Sequence, residues 1–384
     1  MDIQFKLDYF ILVLIQFFSL YTFGFIVEKK RLWEKKVAYW RYAIIPILLF
    51  VCIEGLRYGR GADYLWYQDQ FYSIKHPLEE QEFLFMLLYE VFYDLHLEFH
   101  HVVCVFAFVW ILSIIYFIQS YAEIARYGIV FYLIASLILY ESAIRQCLGF
   151  SCLMLGIPFL FCKRKNNYVI YLVWVIIAAC IHTSSIIYSI VFLLLILWNR
   201  PINWKCALLV YLFFVFIWDF SKSDGIAQIL SFIDLGENKM QSYINNADSW
   251  FEAGSAQKDV MRSISTKIMA ALLDGTILFY GYKLNKVINT PKYTLVYNVY
   301  VIGMVGLMAA FSFEIVRRVF QPMYFFWGII AAYSIIYRKS LIYTKKDFCM
   351  LAIMGTLVFL LFVRNILLSH AGQLFIWDVP SYKL

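Results

Sequence analysis

Charge is what this chain has least of: Asp, Glu, Lys and Arg make up 15% of its 384 residues, against 63% hydrophobic. A soluble fold of this size would need more charge to cover its surface, so the excess apolar area must face lipid. Proline is scarce as well, with seven in all. No Pro-rich or Gly/Ser-rich stretch and no internal repeat divides the chain, which reads as a single transmembrane domain, residues 1–384. The eight cysteines lie scattered in apolar runs, as at Cys52, Cys104, Cys152 and Cys206. No CxxC or CxxH pair is among them, so neither a zinc site nor a disulfide framework is indicated. An Asp-x-Asp pair and a P-loop are missing too, and no cofactor or metal is expected. The first ten residues carry Asp2 and Asp8 in place of a cationic start and a cleavage site. The first helix is therefore expected to be retained. The net charge of +7 is accounted for by cationic loops on the cytoplasmic side, so nucleic acid is not an expected partner.

What is present is a series of apolar runs near the length needed to cross about 30 Å of hydrocarbon. A span must satisfy its own backbone hydrogen bonds, and no barrel-type alternation appears, so the fold class is all-α and polytopic. About twelve spans are expected, at 9–27, 37–56, 101–120, 127–140, 147–162, 168–182, 184–198, 206–220, 265–282, 294–312, 319–337 and 347–365. A break at Ile181 to Ser185 divides the run from 168 to 198 into two short helices. The densest cationic run, Lys29 to Lys36, belongs to the cytoplasm. Alternation then places Lys163 to Lys165, Arg200 to Lys205, Lys283 to Lys292 and Arg338 to Lys346 inside too, with both termini outside. Counting residues 82–97 as a span would invert every later loop, so they read as a re-entrant or interfacial helix on the outer side.

This topology makes 221–263 a large extracytoplasmic loop. Its Asp224, Asp234, Glu237, Asn238, Tyr243, Asp248, Trp250, Glu252 and Asp259 are the residue types of a sugar-binding groove. A polar loop of this length in a compact helical protein is more often functional than not. Arginines recur at helix ends on the same face: Arg57 and Arg60, Arg145, and Arg317 and Arg318. Cations in apolar sequence are costly unless they pair or face water. Here they either pair with Glu54, Glu141 or Glu314, or form an anion site, since guanidinium forks bind diphosphate oxygens bidentately. His182 stands alone at the expected helix break.

Residues Arg57 to Tyr67, RYGRGADYLWY, resemble the R-x-G-x-[GT]-x-D-Y-x-x-Y signature of EpsG-type exopolysaccharide proteins, relatives of the Wzy O-antigen polymerases. Three further segments are similar in order: Ile144-Arg145-Gln146 to the family's I-R-Q helix start, Ala178 to Ser185 to its A-x-x-x-H-x-S segment, and Glu314 to Tyr324 to its R-x-x-x-Y region. The resemblance implies a GT-C-like architecture in the bacterial cytoplasmic membrane, active on the extracytoplasmic face. It implies a glycosyltransferase joining oligosaccharide repeats carried on undecaprenyl diphosphate, with lipid-linked repeats as donor and acceptor and a chain-length regulator as a further partner. Arg57, Arg60, Arg145 and one of Arg317 or Arg318 are then the diphosphate ligands. The acceptor hydroxyl needs a base or orienting group, for which Asp63, His182 and Glu141 are the options, Glu141 ranking last. Gly59 and Gly61 permit close backbone approach, and Tyr64, Tyr67, Gln146 and Tyr324 support the site. The rival readings are a lipid-linked oligosaccharide flippase or transporter, and an O-antigen ligase. A flippase would show internal repeats and matched helix breaks, which this sequence lacks.

Overall fold

The structure, a computed structural model, describes residues 3–73, 82–161, 166–217, 264–311, 314–342, 344–367 and 372–379. The polar loop expected at 221–263 lies outside the described residues, as do Lys163 to Lys165. Among the described residues the secondary structure is helical, apart from an isolated bridge between Tyr58 and Gln373.

Fifteen helices are used here: α1 (Ile3–Lys30), α2 (Lys36–Gly55), α3 (Tyr64–Tyr72), α4 (Phe83–Asp94), α5 (Phe99–Gln119), α6 (Ala125–Ser142), α7 (Ile144–Gly156), α8 (Asn167–Ile181), α9 (Ser185–Trp198), α10 (Trp204–Phe216), α11 (Ile264–Ile288), α12 (Pro291–Ala309), α13 (Glu314–Tyr324), α14 (Trp327–Ile336) and α15 (Lys345–Leu367). Each of the twelve apolar runs coincides with one of these helices or with the α13–α14 pair. Among the described residues eight segments are long and apolar enough to cross a membrane: Ile3–Lys30, Lys36–Gly55, Phe99–Gln119, Ala122–Ser142, Ile144–Phe161, Pro291–Ala309, Val316–Ile336 and Lys345–Arg364. Helices α8, α9 and α10 are apolar but have 15, 14 and 13 residues, a rise of only about 20 Å each. Helix α11 has 25 residues but is not among the eight, because Ser265, Thr266, Lys267, Asp274 and Thr276 dilute its apolar content. Helix α4, in the segment read as re-entrant or interfacial, has 12 residues and rises about 18 Å, too little to cross. The break expected at Ile181 to Ser185 falls between α8 and α9. Pro322 lies inside α13, and the run expected at 319–337 is broken between Tyr324 and Trp327.

The chain divides into two compact units. The first comprises Met1–Leu194, Trp327–Lys339 and Val358–Leu384. Within it α2 packs on α5, α1 on α6, α6 on α14, and α5 and α8 on α7. A side-chain carbon at Gly24 would lie 2.3 Å from the Arg126 backbone, and one at Gly328 would lie 2.6 Å from that of Phe131. Small residues at these points let the helix backbones approach, the usual device where lipid supplies no hydrophobic drive for helix pairing. The second unit comprises Leu195–Phe326 and Ser340–Leu357. There α10, α11 and α12 pack on one another and α13 packs on α12.

Candidate active site

The segment after α2 is where the sequence concentrates its unusual residues. The chain leaves the helix at Gly55 and turns through Gly59, at φ +65°, and Gly61, at φ +111°. A Cβ at Gly61 would stand 2.0 Å from the Glu141 carbonyl oxygen, so the turn can press against the end of α6 only with glycine there. The turn is held from its other side by the C-terminal segment: Gln373 N–H donates to the Tyr58 carbonyl at 2.8 Å and Ile376 N–H to that of Leu56 at 2.9 Å.

This turn carries Arg57 and Arg60 inward, and both are fully buried. Arg60 donates from Nε to Glu141 Oε1 and from Nη2 to Glu54 Oε2, each at 2.7 Å. Arg57 donates to backbone carbonyls: Nε to Arg60 at 3.1 Å, Nη2 to Glu141 at 3.3 Å, and Nη1 to Glu54. Tyr9 of α1 donates to Glu141 Oε1 at 2.7 Å, and its ring lies under the Arg60 guanidinium at 4.5 Å. The rings of Tyr64 and Tyr140 face Arg57 at 5.7 and 5.1 Å. Two arginines and two glutamates cancel in formal charge, and such pairing is what lets these groups stay away from water, although among the described residues Glu54 Oε1 and Arg60 Nη1 have no hydrogen-bond partner. Of the two roles open to these arginines in the sequence, the geometry matches pairing with Glu54 and Glu141.

The paired residues sit against the junction of α6 and α7, where Ser142 Oγ accepts from the Ala62 N–H at 3.3 Å. Arg145 follows on the first turn of α7. A cation at a helix N-terminus is disfavoured by the peptide dipoles, and its compensation comes from Glu82, just before α4. Arg145 Nη1 lies 2.9 Å from Glu82 Oε2. The other oxygen of the same carboxylate, Oε1, is 3.2 Å from His182 Nδ1 and accepts from the Thr183 hydroxyl at 3.4 Å. Side-chain exposure is 8% for Glu82, 20% for Arg145 and 22% for His182, so the carboxylate is more enclosed than the two basic groups. Burial alone would raise the Glu82 carboxyl, but the His182 hydrogen bond and the Arg145 charge outweigh it and bring Glu82 down to about 2. The Arg145 guanidinium lies between the rings of Trp66 and Phe85, at 5.9 and 5.7 Å, and Trp66 is half exposed.

His182 caps the C-terminal end of α8 in an extended conformation. Gly149 of α7 makes room for it: a Cβ there would lie 2.7 Å from Ser185 Oγ and 3.1 Å from His182 Cβ. Gln146 fixes the start of α9 by donating to the Tyr188 hydroxyl at 2.7 Å.

The structure thus brings together Arg57, Arg60, Glu141, Gly59, Gly61 and Tyr64 in one buried cluster, and Arg145 and His182 in a second, half-open one beside it. Asp63 is half-buried at the start of α3, its carbonyl accepting from the Tyr67 N–H at 3.0 Å, and Tyr67 is buried with its ring edge-on to Phe85. Arg317 and Arg318 belong to the second unit, on α13, both half-buried, with Arg317 5.6 Å from the Phe311 ring. Tyr324 of that unit donates to the buried Asp274 Oδ1 at 2.8 Å, a carboxylate that also accepts from Tyr211 and Tyr300. Two residues that sequence reasoning passed over stand out, Glu82 and Asp274. Among the described residues no group of three or more His, Cys, Asp and Glu side chains is placed to hold a metal ion.

The EpsG family model matches residues 40–377. The chain belongs to the EpsG family. That match runs from α2 through the C-terminal segment that holds the Arg57–Gly61 turn, so both clusters, Tyr9 apart, lie within the matched residues. No curated protein and no solved structure matches the chain. Membership of the EpsG family accords with a polysaccharide polymerase-related role for this membrane protein, the activity that the resemblance at Arg57 to Tyr67 implied.

Proposed function

We propose that this protein is a polysaccharide polymerase of the bacterial cytoplasmic membrane. It transfers a growing glycan from undecaprenyl diphosphate to a hydroxyl of another lipid-linked repeat unit, on the outer face. The observation that carries the reading is the pairing of Arg145 and His182, from separate segments, at one half-open site. In the proposed step the acceptor oxygen attacks the anomeric carbon of the donor. The new C–O bond forms as the glycosyl–diphosphate C–O bond breaks, and its electron pair stays on the diphosphate oxygen. The hydroxyl proton passes to His182 Nε2 and from there to water. Arg145, a bidentate donor that keeps its charge at any pH the cell meets, stabilises the negative charge on the leaving diphosphate. With that charge supplied by guanidinium, the step calls for no metal.

Glu141, Arg57 and Arg60 act in this reading as the scaffold that positions the α6–α7 junction. Asp63 remains a candidate for orienting the acceptor hydroxyl, tested by Asp63→Asn. Arg317 and Arg318 are separate anion-binding candidates, each tested by its own substitution to Gln.

The decisive experiment supplies purified protein in liposomes with a defined lipid-linked oligosaccharide and reads product masses. A ladder of elongated, lipid-linked glycans supports polymerase. Transfer of glycan to a different acceptor points to a ligase, and movement across the bilayer without elongation points to a flippase. Within the polymerase reading, His182→Ala and Arg145→Gln each lower the rate about 10²-fold or more, and full activity in either removes that residue from the mechanism.

A further inference from the structure

Of the three paired groups at this site Glu82 is the least exposed, and it touches both residues assigned to the chemistry. Its carboxylate is divided, with Oε2 on Arg145 and Oε1 on His182. A carboxylate of this kind only accepts hydrogen bonds, so the His182 nitrogen facing it must be the one that carries hydrogen. A neutral imidazole held by Nδ1–H leaves its lone pair on Nε2. Glu82 is too enclosed to reach a substrate itself, whereas Arg145 and His182 are each about one-fifth exposed.

We infer that Glu82 is a positioning residue that couples donor binding to the base, a role that rests on the polymerase reading of Arg145 and His182. While the site is empty, Glu82 divides its charge between the guanidinium and the imidazole. A diphosphate arriving on Arg145 competes for the same guanidinium and weakens its hold on Glu82. More of the carboxylate's charge is then directed at His182, so the imidazole accepts a proton most readily when a donor is in place. Three charged groups face His182 in this arrangement or enter it: Glu82 from beside α4, Arg145 from α7, and the incoming diphosphate. The order of burial favours this exchange over a fixed structural pair, because the shared anion is the least exposed and Arg145, the group that changes partner, is one-fifth exposed.

The arrangement makes the two effects of Glu82→Gln opposite in sign. The amide keeps the shape but removes the competing charge, so Arg145 is freer for substrate and His182 loses its anchor. With protein in nanodiscs, undecaprenyl diphosphate is expected to bind Glu82→Gln roughly three- to tenfold more tightly than wild type, a modest gain because the Arg145 side of the pair is partly solvated. Polymer formation from lipid-linked repeats is expected to fall about 10²-fold, the share of a general base. A residue that merely holds the fold would lose affinity and turnover together. That outcome, or wild-type values for both, overturns the role of Glu82 and leaves the polymerase reading intact. If wild type and Arg145→Gln bind undecaprenyl diphosphate equally, the reading of Arg145 fails instead, whatever Glu82→Gln does. Should Glu82→Gln fail to fold, histidine 15N NMR of wild type decides the matter. The His182 resonance, assigned by its loss in His182→Asn, should show hydrogen on Nδ1 at neutral to alkaline pH, and hydrogen on Nε2 would refute the inference.

Discussion

At the scale of single residues, the chain uses the same ion-pairing chemistry for two ends. Arg57 and Arg60 are closed off from solvent and matched by Glu54 and Glu141, while Arg145 is left partly open. Removing one member of a buried pair strands the other without water, at a cost of about 3–5 kcal/mol. Arg60→Lys is therefore expected to behave as a folding defect, because an ammonium cannot serve Glu141 from Nε and Glu54 from Nη2 at once. Its thermal unfolding in detergent should fall well below that of wild type. Glu82 adds a pH dependence with a definite sign. Its carboxyl is lowered to about 2 in the folded protein, from about 4.3 for a free glutamate. The contribution is complete above the unfolded value and is lost as pH falls toward the folded one. The difference in melting temperature between wild type and Glu82→Gln should accordingly shrink between about pH 4.5 and 2. A difference that fails to shrink over that range would show that the carboxylate is not stabilised as the geometry indicates.

At the scale of elements, the clearest device is the approach of the α8–α9 break to α7, which depends on Gly149. Adding a methyl group there has two opposed effects. Alanine in a helix gains about 1 kcal/mol over glycine, while crowding Ser185 Oγ at 2.7 Å and His182 Cβ at 3.1 Å costs a similar amount, about 1–3 kcal/mol. Stability should change little, but His182 moves relative to Glu82 and Arg145, and displacements of this size cost catalysis about 10²-fold. Gly149→Ala is thus expected to fold and insert normally and to make little polymer, as measured by unfolding and product mass together. Equal activity would mean that the position of His182 is not critical. This element shows what the sequence carried and what it did not. The break at Ile181 to Ser185 was legible because a run from 168 to 198 is too long for one span and holds His, Thr and two Ser together. Arg57, Arg60 and Arg145 were legible as cations in apolar surroundings, and Glu54 and Glu141 as their nearest partners. Glu82 was not legible. It stands 63 residues before Arg145 and 100 before His182, next to Glu79 and Glu80 in a run of acidic residues that look alike. Only the packing of α4 on α8 selects one of them. Asp274 was hidden for a similar reason, since the tyrosines that donate to it come from α10, α12 and α13.

At the scale of the molecule, orientation follows from where the cations are placed and where the half-open cluster must then lie. The run Lys29 to Lys36 joins α1 to α2, and loops of this kind stay in the cytoplasm. On the orientation proposed for this protein, α2 then carries the chain outward and delivers Arg57 to Tyr67 to the outer side. If α3 and α4 do not cross, α5 returns inward, α6 outward, and the α6–α7 junction with Glu141 and Arg145 again lies outside. On the same proposal the connection between α7 and α8 lies on the cytoplasmic side, and His182, after α8, lies on the outer side with Glu82 and Arg145. The contacts of Glu82 with both residues demand this agreement independently of the charge rule, because three segments that touch cannot lie on opposite sides. Reading α4 as a span would put Arg145 and His182 on the side opposite Arg57 to Gly61, yet Arg57 donates to the Glu141 carbonyl and Ala62 to Ser142. A reporter enzyme active only in the cytoplasm, fused after residue 165, is therefore expected to be active, and one active only outside the membrane, fused at the same point, silent. Fusions after residue 61 should give the reverse pattern. Activity of the outer reporter at residue 165 would move the α6–α7 junction to the cytoplasm or add a crossing before it, and either result would remove the lipid-linked donor from the reach of Arg145.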